Sequence, residues 1–174
     1  MKTDDKLHWY VIYTKACQEK KVAEWLAKYG IEYYLAIQKE KHKWSDRYKI
    51  VDRLVIPRVI FLHTTYSDRM RPLKDWPGLY RFLTDNGPYT PAVVPDREMD
   101  MFRRMVSKSA TPVTLSDPPI QPGTKIRVKK GPLSGLEAEL IEVNSRQHAL
   151  VRLGKLGAAS AEIAIEDIEP VKSE

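Results

Sequence analysis

Between Lys39 and Arg58 the chain carries seven Lys and Arg against three acids, with Trp44 and Tyr48 set among them. Cations with interleaved aromatic rings suit nucleic-acid binding, because the charges hold the phosphate backbone and the rings stack on bases. Lys41, Lys43, Trp44 and Arg47 are the centre of this stretch and the first candidates for such contact. Lys15, Lys20, Lys21 and Lys28 form a second basic group in and beside a helical segment, where a solvated face is the better reading of Lys20 and Lys21. Other chemistry lacks residues. His8, His42, His63 and His148 are scattered, Cys17 stands alone, and zinc needs three or four ligands at compact spacing. A Gly-rich phosphate loop, G-x-S-x-G and H-E-x-x-H are all absent. No metal or cofactor is expected, and the chain does not read as an enzyme.

Charge and aromatic content are unevenly spread. Residues 1–106 hold 20 Lys and Arg against 14 acids, whereas residues 107–174 hold 9 against 9. All 16 Trp, Tyr and Phe lie between Trp9 and Phe102. Local positive potential attracts phosphates, so nucleic-acid contact belongs to the first part, which also has the large side chains for a core. The composition, 43% apolar and 30% charged, is that of a soluble globular protein. No apolar run approaches the roughly 20 residues that cross a bilayer, the opening MKTDDKLHW lacks the plan of a secretory signal, and one cysteine cannot form an internal disulfide. A cytoplasmic monomer without membrane contact is expected.

The elements that position these residues follow from periodicity. Trp9–Tyr13 is an apolar, β-branched and aromatic run, which predicts a central strand. Val22, Trp25, Leu26 and Tyr29 recur at helical spacing, with Gly30 placed to end the helix. Segments 31–38 and 53–63 read as the arms of a hairpin, with the basic stretch projecting between them as a long loop. Pro57 argues for an edge, a bulge or the start of a strand. Segment 67–75 is weakly helical, Leu79–Leu83 a short strand, and 96–106 a helix with acids early and Arg103 and Arg104 late. The order β-α-β-β-α-β-α describes an α/β sandwich. Residues 107–119, rich in Pro, Ser and Thr, read as a flexible linker. Beyond it, Pro122–Val143 is one β unit: Ile126 and Val128 alternate with basic residues, Gly131-Pro132 and Ser134-Gly135 supply a turn, and Ala138, Leu140 and Val143 follow. Segments 148–153 and 161–168 are the candidate strands to cover it. The fold class is α+β.

Lys125–Leu140, a basic-apolar strand followed by Gly-Pro-x-x-Gly and a second strand, resembles a KOW motif. Together with WYVIYTK, IPRVIFL, PGLYRFL and PDREMDMF in that order, it makes the chain similar to the NusG/Spt5 transcription factors from Trp9 to Val171. By overall similarity the chain looks like a specialised paralog of the RfaH or UpxY antiterminator type. The resemblance implies an NGN sandwich, an antiparallel sheet with flanking helices, at 1–106, and a small five-stranded SH3-like barrel, the KOW domain, at 120–174. It implies that Tyr13, Ile56, Pro57 and Phe82, by bulk simply core residues, receive the clamp helices of the largest RNA polymerase subunit. It implies too that Lys15 and Lys28 touch non-template DNA, that the basic hairpin approaches the polymerase and upstream DNA, and that the KOW domain recruits NusE, the ribosome or Rho. Leu133 and Leu136 stand at the KOW partner positions where NusG commonly has Phe, so partner preference is expected to differ there. The implied function is processive elongation with antitermination at particular operons; the alternative is a ribosome-associated RNA-binding KOW protein.

Overall fold

The computed structural model describes residues 6–116 and 123–171 of the 174-residue chain. These divide into two compact units, one drawn from 6–36, 56–99 and 154–156, the other from 37–55, 100–116, 123–153 and 157–171. The basic segment 37–55 falls in the same unit as the C-terminal strands.

The first unit is an antiparallel sheet built from β1 (His8–Thr14), β2 (Glu32–Tyr34), β5 (Val59–Thr64), β6 (Leu79–Phe82) and β7 (Val93–Val94). β1 is central, pairing with β5 on one side and with β6 and β7 on the other, and β2 extends the sheet beyond β5. Its apolar run is buried from Trp9 to Ile12, as a strand covered on both faces requires. Helix α1 (Glu19–Lys28) covers one face, where Ile12, Ile60, Leu62 and Leu79 pack with Val22, Ala23 and Leu26. The helix ends as expected. Gly30 is left-handed at φ 66°, and the Gly30 and Ile31 amides donate to Ala27 and Leu26 carbonyls, a Schellman closure. Tyr29, expected on the buried face, is 56% exposed: it is the C-cap residue beyond the last helical turn, and Glu19, Val22, Ala23 and Leu26 make up the buried face. Segment 67–75 holds one 3-10 turn and the short α2 (Arg71–Asp75).

The expected hairpin arms are each split in two. Leu35-Ala36 separates β2 from β3 (Ile37–Lys43), and residues 55–58, with the turn at Pro57-Arg58, separate β4 (Tyr48–Leu54) from β5. The long loop is therefore a correction: β3 and β4 pair continuously from Ile37↔Leu54 to Lys43↔Tyr48, and the Trp44 amide closes the turn on the Arg47 carbonyl at 2.7 Å. Cross-strand hydrogen bonds form without a buried face when side chains of opposite charge and rings line the ladder. Charge alone had concealed this strand period.

Helix α3 (Asp96–Lys108) buries Met99, Phe102, Met105 and Val106 on one side. After it, β8 (Thr114–Ser116) lies in the segment expected as a linker. Val113 is fully buried and β8 pairs with residues Ala158–Ser160, so a β-branched run inside a Pro/Ser-rich stretch gains an ordered place by completing a sheet. The rest of that stretch, 117–122, lies outside the described residues. The second unit's larger sheet runs β13-β9-β10-β11-β12-β8, every pairing antiparallel, with β9 (Thr124–Val128), β10 (Glu137–Val143), β11 (Arg146–Arg152), β12 (Ala158–Glu162) and β13 (Ile168–Pro170). Asn144 and Ser145, both at positive φ, join β10 to β11 in a two-residue turn. The strand expected at 161–168 is two: Ala158–Ala161 are fully enclosed, and a 3-10 turn at Ile165–Asp167 precedes β13.

Candidate polymerase and nucleic-acid interface

Strand alternation sorts the hairpin by chemistry. Residues paired across an antiparallel ladder share a face, and neighbours along a strand do not. Lys39, Lys41 and Lys43 therefore lie on one face with Tyr48 and Ile50, while Gln38, Glu40 and His42 lie on the other with Arg53, Val51 and Lys49. On the first face Lys41 Nζ sits 4.7 Å from the centre of the Tyr48 ring. Trp44, Tyr48 and Ile50 are 57%, 61% and 67% exposed. On the second face Glu40 is neutralised by Arg53 and approached by His42. The structure thus brings Lys41, Lys43, Trp44 and Arg47 together at one tip and adds Lys39, Tyr48 and Ile50. The K-E-K-H-K alternation was the signal for this face.

The hairpin root is held by a polar clasp. Gln38, 6% exposed, donates to the Thr111 carbonyl at 2.9 Å and accepts from the Val113 amide at 2.9 Å and from Arg53 at 2.8 Å. Arg53 also donates to the Val113 carbonyl at 2.8 Å. A buried amide with its hydrogen bonds made fixes orientation, and sequence reading had treated Gln38 only as the end of a strand.

A second cluster forms at the end of β1. Tyr13 is half-buried and pairs with Val59 on one side and Arg81 on the other, and the Arg81 guanidinium lies 4.9 Å from its ring centre. The Thr14 amide donates to the Arg58 carbonyl at 2.9 Å and the Lys15 amide to the Gly78 carbonyl at 2.8 Å. Tyr13, Lys15, Pro57, Arg58 and Arg81 are thereby gathered around one strand end, and all but Tyr13 are exposed.

The other expected site residues are not brought there. Ile56 is 5% exposed, a core residue beneath the turn. Phe82 pairs with Ile12 and packs with the α1 cluster, on the face opposite Tyr13. Lys28 is exposed at the far end of α1 from Lys15, about 15 Å of helix away. Leu133 and Leu136, expected as partner contacts, are 5% and 1% exposed and fill the inside of the β9–β10 turn, leaving Lys129, Lys130, Pro132 and Ser134 outside. Leucines without polar atoms stabilise such a turn by burial.

One carboxylate in the second unit is electrostatically distinct. Glu139 accepts two hydrogen bonds from Arg152, at 2.7 and 2.9 Å. These hold its carboxyl below the ordinary value against the opposing effect of burial, with the Gly123 amide and Lys125 adding to the lowering. Among the described residues no group of three or more His, Cys, Asp or Glu could hold a metal ion, and no helix is long and apolar enough to cross a membrane.

Residues 7–103 match the family model described as transcription termination factor nusG. The chain belongs to the NusG family. The matched residues include the whole β1-end cluster and the hairpin of this NusG-family protein. Its fold is similar to the solved structure described as domain interaction in Thermotoga maritima NusG, with 17% identity over 96% of this chain and 98% of that one and a TM-score of 0.53. Two structures of the MjSpt4:Spt5 complex, conformations A and B, also match. They share 14% and 15% identity over 95% of this chain and 99% and 97% of theirs, with TM-scores of 0.31 and 0.32. Curated protein sequences give no significant match.

Proposed function

We propose that this NusG-family protein is a transcription elongation factor that binds RNA polymerase and promotes processive, antiterminated elongation at particular operons, as a paralog of the RfaH or UpxY type. The observation that carries the reading is the half-buried Tyr13 ring set among the exposed Lys15, Pro57, Arg58 and Arg81, within the stretch that the family model covers. A ring and a proline framed by cations suit a protein partner with an apolar contact and an acidic rim. Residues 1–106 would grip the polymerase clamp helices, and the lysine face of the hairpin would follow upstream or non-template DNA. Residues 120–174, read as a KOW domain with an SH3-like barrel, would recruit NusE, the ribosome or Rho through surface other than the buried Leu133 and Leu136. The role is binding: a factor that contacts the elongating state of polymerase better than the paused state shifts the population between them. It would act in the cytoplasm.

Affinity capture with the full chain tests the reading. RNA polymerase subunits in the eluate support it; ribosomes without polymerase would favour the ribosome-associated alternative and sink it.

A further inference from the structure

Glu19 is the first residue of α1 and is 5% exposed, and its carboxylate is not explained by the fold's apolar packing. Its Oε1 accepts the Arg58 amide hydrogen bond at 2.9 Å. Arg58 is left-handed at φ 63°, a conformation that L residues other than Asn and Asp seldom adopt. The same residue's carbonyl accepts from the Thr14 amide at 2.9 Å. Both polar backbone groups of Arg58 are thus tied, one to β1 and one to α1, while Pro57 and the Arg58 side chain are exposed.

We propose that Glu19 is a positioning residue: its buried carboxylate holds the Pro57-Arg58 turn left-handed and so sets Arg58, with Lys15 and Arg81, as a cationic rim around Tyr13 that fits an acidic patch on the polymerase. The inference rests on the polymerase-binding reading and adds to it the chemistry of the partner surface and the residue that fixes the rim. Glycine would take φ 63° at position 58 without support; an arginine there provides charge, and Glu19 supplies the hold.

The test measures affinity of the full chain for purified RNA polymerase, together with amide hydrogen exchange at Ile56, Arg58 and Val59. The variants are Glu19→Ala, Glu19→Gln, Arg58→Gly and the Glu19→Ala/Arg58→Gly pair. Glu19→Ala should weaken binding about tenfold, the scale of one lost charge-assisted hydrogen bond, and speed exchange at Arg58. Glu19→Gln, which keeps the acceptor oxygen, should stay within about threefold of wild type. In the Arg58→Gly background Glu19→Ala should cost less than about threefold, because the turn no longer needs holding. Equal binding by Glu19→Ala and wild type, or an undiminished cost in the glycine background, would overturn the inference. So would failure of both Glu19→Ala and the paired variant to fold, which would make Glu19 a core residue only. Wild-type chain that does not bind polymerase would instead sink the functional reading beneath it.

Discussion

The hairpin tip and the end of β1 both present rings and cations to solvent, yet they are made differently. At the tip the residues come from one continuous stretch, sorted by the period of two that any antiparallel ladder imposes. At the end of β1 they come from three separated stretches, 13–15, 57–58 and 81, joined by strand register and by backbone hydrogen bonds to Arg58 and Gly78. The tip owes its properties to local charge and is exposed to salt screening. The β1 end owes its shape to long-range packing, so damage to the core should reach it. A local charge pattern gives reach and attraction; a cluster assembled over distance gives a fixed shape.

Substitutions can pull these two regions apart. Ile12→Ala, in the centre of the α1-covered face, should lower stability by about 2–5 kcal/mol in urea unfolding, whereas Trp44→Ala at the tip should change it by less than about 0.5 kcal/mol. A comparable cost for both would erase the distinction. Lys41→Glu with Lys43→Glu should weaken nucleic-acid binding about 10- to 100-fold and reduce the slope of log affinity against log salt by about 2, read by titration at several salt concentrations. A slope that does not change would remove the lysine face from the interface. Gln38→Ala leaves the Val113 amide without its acceptor and removes one of the acceptors of Arg53, and should cost about 1–3 kcal/mol, while binding by the tip charges persists.

The smallest expected effect lies in the C-terminal sheet, a control outside both regions. The Glu139 carboxyl is held below its ordinary value in the folded chain, chiefly by Arg152. Its contribution is therefore present above the unfolded-state value and lost as pH falls through the lowered folded value. Glu139→Gln should flatten that acid limb and cost about 1 kcal/mol or less at neutral pH, measured by unfolding across pH.

Much of the first sheet was legible because its signals are local and strong: the WYVIY run, the α1 period with Gly30, and Pro57 at the start of β5. The hairpin was not, since Lys39–Ile50 has no apolar stripe and its strand character lies in alternating charge. β8 escaped because its place depends on β12, more than 40 residues further on, which composition cannot reveal. Among site residues, the tip cations follow from sequence alone. Arg58, Arg81 and Glu19 do not: each acquires meaning only through a partner distant in the chain, Thr14, Tyr13 and Arg58 respectively. Phe82 shows the converse, because a one-residue step along β6 decides which face a side chain takes, and its pairing with Ile12 turns it inward.

The central claim, that the end of β1 grips RNA polymerase, is tested most directly by the affinity of the full chain for the purified enzyme with and without Tyr13→Ala. The expected result is wild-type binding that falls at least about tenfold in the variant, as loss of a central aromatic contact should cause, with unfolding of the free protein little changed. Equal affinity of the two proteins, or no binding by the wild type, would contradict it.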